Sequence, residues 1–125
     1  MKVLVTGPDG VLGSNLVREL LSRDYEVIAM SENGKKSPTI DNLTITKIGG
    51  NLLNPEDVEA AVDGVDYVVH CAASTAMWPS KSEIVTSVNI DGTLTVINAC
   101  LKHKVKRLIY IVTANSFGSE TKLNP

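Results

Sequence analysis

The sequence predicts an α/β domain built on a parallel sheet, and three observations carry that prediction. Short apolar runs of strand length alternate with segments of helical period along the chain. No hairpin signal joins any two of these runs, so consecutive strands need crossover connections, which are right-handed and leave the strands parallel. The run from Val65 to Cys71 is apolar enough to be covered on both faces, as strands of parallel sheets are.

The elements follow in order. Lys2-Val-Leu-Val-Thr6 is a strand that meets a turn signal, Gly7-Pro8-Asp9-Gly10. From Val11 to Arg23, Leu12, Leu16 and Leu20 stand four apart, as do Val17 and Leu21, striping one face of a helix. Tyr25 to Met30 is a second strand and Leu43 to Ile48 a third, and the polar segment Ser31 to Asn42, holding Gly34 and Pro38, is a surface loop. Asn54-Pro-Glu-Asp57 offers a capping side chain, a proline where a missing N–H costs nothing, and two acids at the positive end of a helix dipole. That helix stops at Asp63-Gly64, and Val65 to Cys71 is the fourth strand, followed by a loop over Ala72 to Ser80. Ile84, Val88, Leu94, Ile97 and Leu101 mark a long helix, closed by Lys102-His-Lys104 with positive charge at its negative end. Arg107 to Val112 is the fifth strand, and Thr113 to Pro125 shows no firm period.

Composition bounds the partners. A chain of 125 residues, 43% apolar and 21% charged, holds one globular core, and no repeat, low-complexity tract or linker suggests a second domain. A formal net charge of -2 provides no field for a nucleic-acid backbone, and Lys104, Lys106 and Arg107 are too few to make one. No apolar run is long enough to span a bilayer, and the amino end reads directly into a strand, so the expected location is cytoplasmic, with neither nucleic acid nor membrane as partner. Cys71 and Cys100 fit no metal-ligand spacing and read as small core residues, so no metal site is expected.

The strand-turn-helix unit at the amino end carries the functional signal. The first backbone N–H groups of such a helix point at whatever sits over the turn, and the dipole makes that place favourable for phosphate. Gly7 lets the chain turn sharply off the strand, Gly10 lets a pyrophosphate approach the backbone, and Gly13 lets the helix pack tightly on the first strand. The unit predicts a dinucleotide as ligand.

The spacing Gly7-x-x-Gly10-x-x-Gly13 after Thr6 resembles that of the extended short-chain dehydrogenase/reductase superfamily, which includes the NAD-dependent epimerases and dehydratases. Further pieces match in order: Gly50-Asn51-Leu52, His70-Cys-Ala-Ala73, Val88-Asn89-Ile-Asp-Gly92-Thr93, and Arg107 through Thr113 to Gly118. The stretch from His70 to Pro79 is most similar to the dihydroflavonol 4-reductase-like branch. The resemblance implies a Rossmann-type, doubly wound sheet of about five strands in the order 3-2-1-4-5, in three αβα layers. It implies NAD or NADP as cofactor, held by Gly7, Asp9, Gly10, Val11, Leu12 and Gly13 at the first turn, and by Cys71, Ala72, Ala73 and Val112 at later strand ends. Ala72 and Ala73 would let ribose and nicotinamide lie against backbone. Asn51, with Leu52, stands where the family usually has Asp contacting adenine, and its amide oxygen still accepts from an exocyclic amine. Asn89 matches the family's helical Asn near the active site. The choice of dinucleotide stays open, because Ser31 occupies the usual acid position, Glu32 follows, and Lys35 and Lys36 stand close enough to reach a 2′-phosphate.

Catalysis in the resembled family uses Ser or Thr after the fifth strand, then Tyr and a Lys four residues on. Thr113 matches the first. Tyr25, Tyr67 and Tyr110 are followed four residues later by Ala29, Cys71 and Ala114, so the Tyr-x-x-x-Lys pair is missing. Nor do His70 and His103 show a partner for a triad or a metal site. The expectation is a dinucleotide-binding domain over residues 1–125, cut before the catalytic helix and substrate lobe, from a carbonyl reductase or alcohol dehydrogenase of dihydroflavonol-reductase type acting on a small carbonyl or alcohol. A sugar-nucleotide epimerase or dehydratase parent and a noncatalytic dinucleotide-sensing module are the alternatives. Self-association is expected through the 84–104 helix, which lies at the dimer interface in the resembled family, or through the 107–112 strand edge.

Overall fold

The computed structural model describes residues 1–32, 34, 37–73 and 83–112. In chain order these form β1 (Lys2–Thr6), α1 (Val11–Ser22), β2 (Glu26–Ser31), β3 (Thr46–Gly49), α2 (Pro55–Val62), β4 (Tyr67–His70), α3 (Glu83–Thr86), a π-helical turn (Ser87–Asp91), α4 (Gly92–Lys102) and β5 (Arg107–Tyr110). The five strands pair in parallel in the order β3-β2-β1-β4-β5, the Rossmann-like arrangement. The chain runs outward from β1 to β3, then returns to place β4 on the other side of β1. That reversal opens a crevice beyond the carboxyl ends of β1 and β4, where no crossover passes.

Period-two alternation along β1 distributes its side chains between two cores. Leu4 faces the layer of α2 and α4, packing with Val58, Val62, Val68 and Val96. Val3 and Val5 face the α1 layer, with Val17, Val27, Ala29 and Val69. Val3, Leu4 and Val5 are 2%, 0% and 0% exposed, so both faces of the central strand are covered and the molecule has three layers. The start of α2 forms as its sequence requires, with the Asn54 side chain accepting from the Glu56 N–H at 3.2 Å and Pro55 in the first turn.

Three expectations change. The third strand starts later than Leu43, because the Leu43 N–H donates to the Ile40 carbonyl and the Ile45 N–H to that of Leu43, which commits these residues to turns. The segment from Ser31 to Asn42 is not wholly surface: Ile40 is buried in the α1-side core, and the Thr39 hydroxyl ties the loop to the Asp9 carbonyl at 3.2 Å. The long helix buries a different face from the one its leucines suggest. Gly92, Thr93, Val96, Ala99 and Cys100 point inward, while Leu94 and Leu101 are 51% and 73% exposed. The π-helical turn adds a residue to the helical repeat, and the true inward stripe contains small and polar residues that read as neutral.

Candidate functional site

A cleft of about 690 Å³ opens at the carboxyl ends of β1, β2 and β4, and its floor is the glycine turn. Gly7 sits at φ +68, and a Cβ there would lie 2.7 Å from the Ala72 backbone, so the turn is stacked directly on the end of β4. Gly13, in the first turn of α1, has the Gly7 carbonyl where its Cβ would be, 2.0 Å away. Its close contact is therefore with the turn itself, not with the body of the first strand as expected. Gly10 differs from both: a Cβ there would meet only the Gly7 carbonyl, at 3.7 Å, leaving its outer side open to the cleft.

The crossover helices α1 and α2 contrast at their starts. In α2, Asn54 caps the first turn, and Glu56 and Asp57 bring negative charge to the positive end of the dipole. In α1, the cap is Gly10, no capping side chain accepts from the N–H groups of the first turn, and that turn contains no acid. Helix geometry leaves the N–H groups of Val11, Leu12 and Gly13 without carbonyls inside the helix. They line the cleft instead, a positive, sterically open cradle for an anion.

At the next strand ends the backbone is pinned. The Ser31 carbonyl accepts from both Gly34 and Gly50 N–H groups at 3.2 Å, which holds the end of β2 against the end of β3 and leaves Glu32 exposed on the cleft wall. The Asp57 carboxylate accepts from the Asn51 N–H at 2.9 Å, and the Asn51 side-chain oxygen accepts from the Leu53 N–H at 2.9 Å. That oxygen retains one lone pair for a ligand donor.

Comparison with known proteins agrees with this geometry. Residues 3–125 match the model of the NAD dependent epimerase/dehydratase family. The chain belongs to that family. It is 39% identical over 113 residues to a 2-alkyl-3-oxoalkanoate reductase of Stenotrophomonas maltophilia, covering 90% of this chain and 33% of the relative. It is 30% identical over 114 residues to a putative dihydroflavonol 4-reductase of Synechocystis, covering 91% of this chain and 33% of that one. Among solved structures, UDP-glucose 4-epimerase from Bifidobacterium longum, in complex with NAD+ and UDP, superposes with a TM-score of 0.81 at 27% identity, over 98% of this chain and 40% of that one. The chain thus spans about a third of the length of the curated relatives it matches, and it corresponds to the NAD(P)-binding portion of the family.

The epimerase/dehydratase motifs converge on the cleft. Gly7, Asp9, Gly10, Val11, Leu12, Gly13, Ser31, Glu32, Asn51, Leu52, Cys71, Ala72 and Ala73 all line it. Asn89 is not among the lining residues, whereas its neighbour Val88 is, and the Asn89 carbonyl is taken by the Thr93 hydroxyl at 2.8 Å. Val112 is 48% exposed beyond β5, away from the lining. Lys35, Lys36 and Thr113 fall outside the described residues. Met30 and Leu53 join the lining from positions next to expected ligand contacts, and so do Gly50 and Val88, which belong to the matching motifs but carried no expected role. Among the described residues, no group of His, Cys, Asp and Glu could hold a metal ion, and no helix is long and apolar enough to cross a membrane. Cys71 and Cys100 are free, and burial pushes both thiols up, away from thiolate chemistry.

Sequence reading gave His70 no partner for a triad or a metal site, and the partners it has in the fold are two threonine hydroxyls. It is 1% exposed at the end of β4, with Nδ1 2.6 Å from the Thr6 hydroxyl and Nε2 3.0 Å from the Thr93 hydroxyl, and its ring stacks on Tyr110 at 5.4 Å. Burial lowers its pKa to about 4, so the folded chain holds it neutral where an unfolded chain takes up a proton. Between pH 6.5 and about 4 the unfolded state therefore binds more protons, and stability falls as the pH falls through that window. Urea titrations from neutral to acid pH are expected to show a loss approaching ~3 kcal/mol at most, largely abolished in a folded His70→Gln variant. A wild-type profile flat down to pH 4.5 would contradict the neutral assignment (the imidazole reference is about 6.5).

Proposed function

We propose that this chain binds a nicotinamide dinucleotide as part of an oxidoreductase that moves hydride between the nicotinamide and the carbon of a small carbonyl or alcohol. The observation that carries the reading is the bare amino terminus of α1, uncapped by any side chain and free of acid, with Gly10 open toward the cleft. The names of the two reductase relatives support carbonyl chemistry, and the dihydroflavonol-reductase type remains our assignment for the parent enzyme. The dinucleotide supplies the hydride when bound. The chain's own part is to hold the pyrophosphate on the N–H groups of Val11 to Gly13, to receive the adenine side at Asn51 and Leu52, and to lay the nicotinamide half against Ala72 and Ala73. Thr113 would orient the substrate oxygen.

The exposed Glu32 carboxylate favours a ribose 2′-hydroxyl and repels a 2′-phosphate, which selects NAD over NADP. The test is a fluorescence titration with NADH and NADPH. Gly10→Val places a branched side chain where the pyrophosphate would sit and should weaken NADH by more than tenfold, that is by more than about 1.4 kcal/mol, with unchanged thermal unfolding. Equal affinity in the folded variant would defeat the reading.

A noncatalytic dinucleotide-sensing module is the second reading, because the same open amino terminus of α1 serves binding without turnover. In either case the described outer side of β5 invites a second copy. Ile109, Tyr110, Ile111 and Val112 are 46%, 47%, 41% and 48% exposed, and β5 pairs only with β4 among the described strands. Multi-angle light scattering of the purified chain should show a concentration-dependent mass above that of the monomer. A fixed monomer mass at high concentration would count against both the strand edge and the outward leucines of α4.

A further inference from the structure

We propose that His70 is a positioning residue of the cleft, the centre of a hydrogen-bond chain that fixes the wall against which the nicotinamide half of the ligand lies. The inference rests on the dinucleotide reading and deepens it. The chain runs from the Ala72 N–H, 3.3 Å from the Thr6 hydroxyl oxygen, through Thr6 to His70 Nδ1, and from His70 Nε2 through the Thr93 hydroxyl to the Asn89 carbonyl. Both ends are backbone groups of fixed polarity, since an N–H only donates and a carbonyl only accepts. The direction is therefore forced. Thr93 donates to Asn89 and so accepts from His70, which puts the proton on Nε2, and the bare Nδ1 accepts from Thr6. A proton on both nitrogens would leave the Thr6 hydroxyl facing two donors. The neutral ring is the one form that satisfies every member.

What the chain joins is what matters for the ligand. Ala72 lines the cleft at the end of β4, and the Gly7 turn is stacked against its backbone. Asn89 belongs to the π-helical turn, whose Val88 lines the cleft from the helix side. Thr6, His70 and Thr93 are 1%, 1% and 8% exposed, so water does not compete for these bonds. Without the imidazole, the β4 end and the helix are no longer linked through a buried polar path, and the separation between Ala72 and Val88 is free to change. The Gly10 cradle, built from backbone at α1, does not depend on this link.

The experiment compares two ligands on the full chain. ADP-ribose carries everything in NADH except the nicotinamide, so calorimetric titration with each isolates the half in question. Thr93→Val, which removes the hydroxyl at constant shape, and His70→Leu should each weaken NADH roughly tenfold while leaving ADP-ribose within about twofold. Thr93→Ser should restore NADH binding. Folded variants that bind both ligands as the wild type does, or lose both in equal proportion, overturn the proposal. Should neither variant fold, ring nitrogen shifts of His70 in the wild type decide it. They should report a protonated Nε2 and bare Nδ1 from about pH 5 to 8 and respond to NADH but not to ADP-ribose. The opposite tautomer, or an equal response to both ligands, overturns it. A wild-type chain that binds neither ligand removes the dinucleotide reading itself, whereas one that binds both while the His70 and Thr93 variants are unaffected removes only the positioning role.

Discussion

Gly13→Ala is expected to cost the domain most of its stability. The new methyl would stand 2.0 Å from the Gly7 carbonyl oxygen and 2.9 Å from the Gly7 carbonyl carbon and Pro8 Cα, all of them backbone atoms. None can retreat easily, because the Gly7 turn is already seated on the Ala72 backbone, where its own missing Cβ leaves 2.7 Å. The amino end of α1 must lift instead, and with it goes the packing of Val17, which is fully buried. Overpacking of this kind costs about 1–3 kcal/mol where neighbours can adjust and more where they cannot, against a total that is roughly 5–15 kcal/mol for a domain. Urea unfolding followed by far-ultraviolet circular dichroism should show a loss of about 3 kcal/mol or more, or no cooperative transition at all. Gly10→Ala is the control: its φ of -73 and ψ of 173 suit any residue, and its Cβ finds open space, so stability should hold within about 1 kcal/mol. Equal stability of the two variants would mean that the turn is far softer than its contacts indicate.

These glycines also show which parts of the molecule are legible in sequence. The β1-turn-α1 unit is readable because its signals are local: a short apolar strand, a turn and a helical stripe occur within a few consecutive residues, whereas crossover handedness gives only parallel strands and their order came with the family resemblance. The same holds for α2, whose cap and first-turn acids are contiguous. The inward face of α4 is not readable in this way. Leu94 and Leu101 are seven apart and mimic a core stripe, while the buried set of Thr93, Val96 and Cys100 has the same spacing with weaker hydrophobicity, and the π-helical turn ahead of it removes the reference register. His70 is hidden for a different reason. Its partners are 64 and 23 residues away, so no spacing along the chain announces them, and a single histidine at the end of an apolar strand carries no signal of its own. Ile40 likewise appears in a polar stretch and becomes core only because the loop folds back over α1. The cleft was legible because its residues stand at strand ends, which topology brings together whatever the details between them.

Dinucleotide bound to this 125-residue chain is expected not to react. The step needs a proton donor beside the substrate oxygen, and the family resemblance assigns that task to a tyrosine whose pKa a lysine four residues on lowers by its charge. Tyr110 is the tyrosine closest in sequence to Thr113, but its fourth successor is Ala114, and its ring is engaged with buried His70. His70 cannot stand in, because both ring nitrogens are committed to threonine hydroxyls and the residue is 1% exposed. A missing general acid alone removes ~10²–10⁴ in rate. Poor placement removes more, since holding two reactants in an attack geometry supplies up to roughly 7–11 kcal/mol of the barrier. The described cleft offers walls at Ala72, Ala73 and Val88 for one reactant, and the residues around it are those that the proposed reading gives to the cofactor. Incubation of the purified chain with NADH and a panel of aldehydes and ketones should leave the reduced-nicotinamide absorbance at its buffer rate, while the same sample binds NADH in titration. Oxidation that saturates with a carbonyl compound and vanishes in Thr113→Ala would show that a proton donor operates within these residues, and the assignment of catalysis to a Tyr-x-x-x-Lys pair outside them would have to be given up.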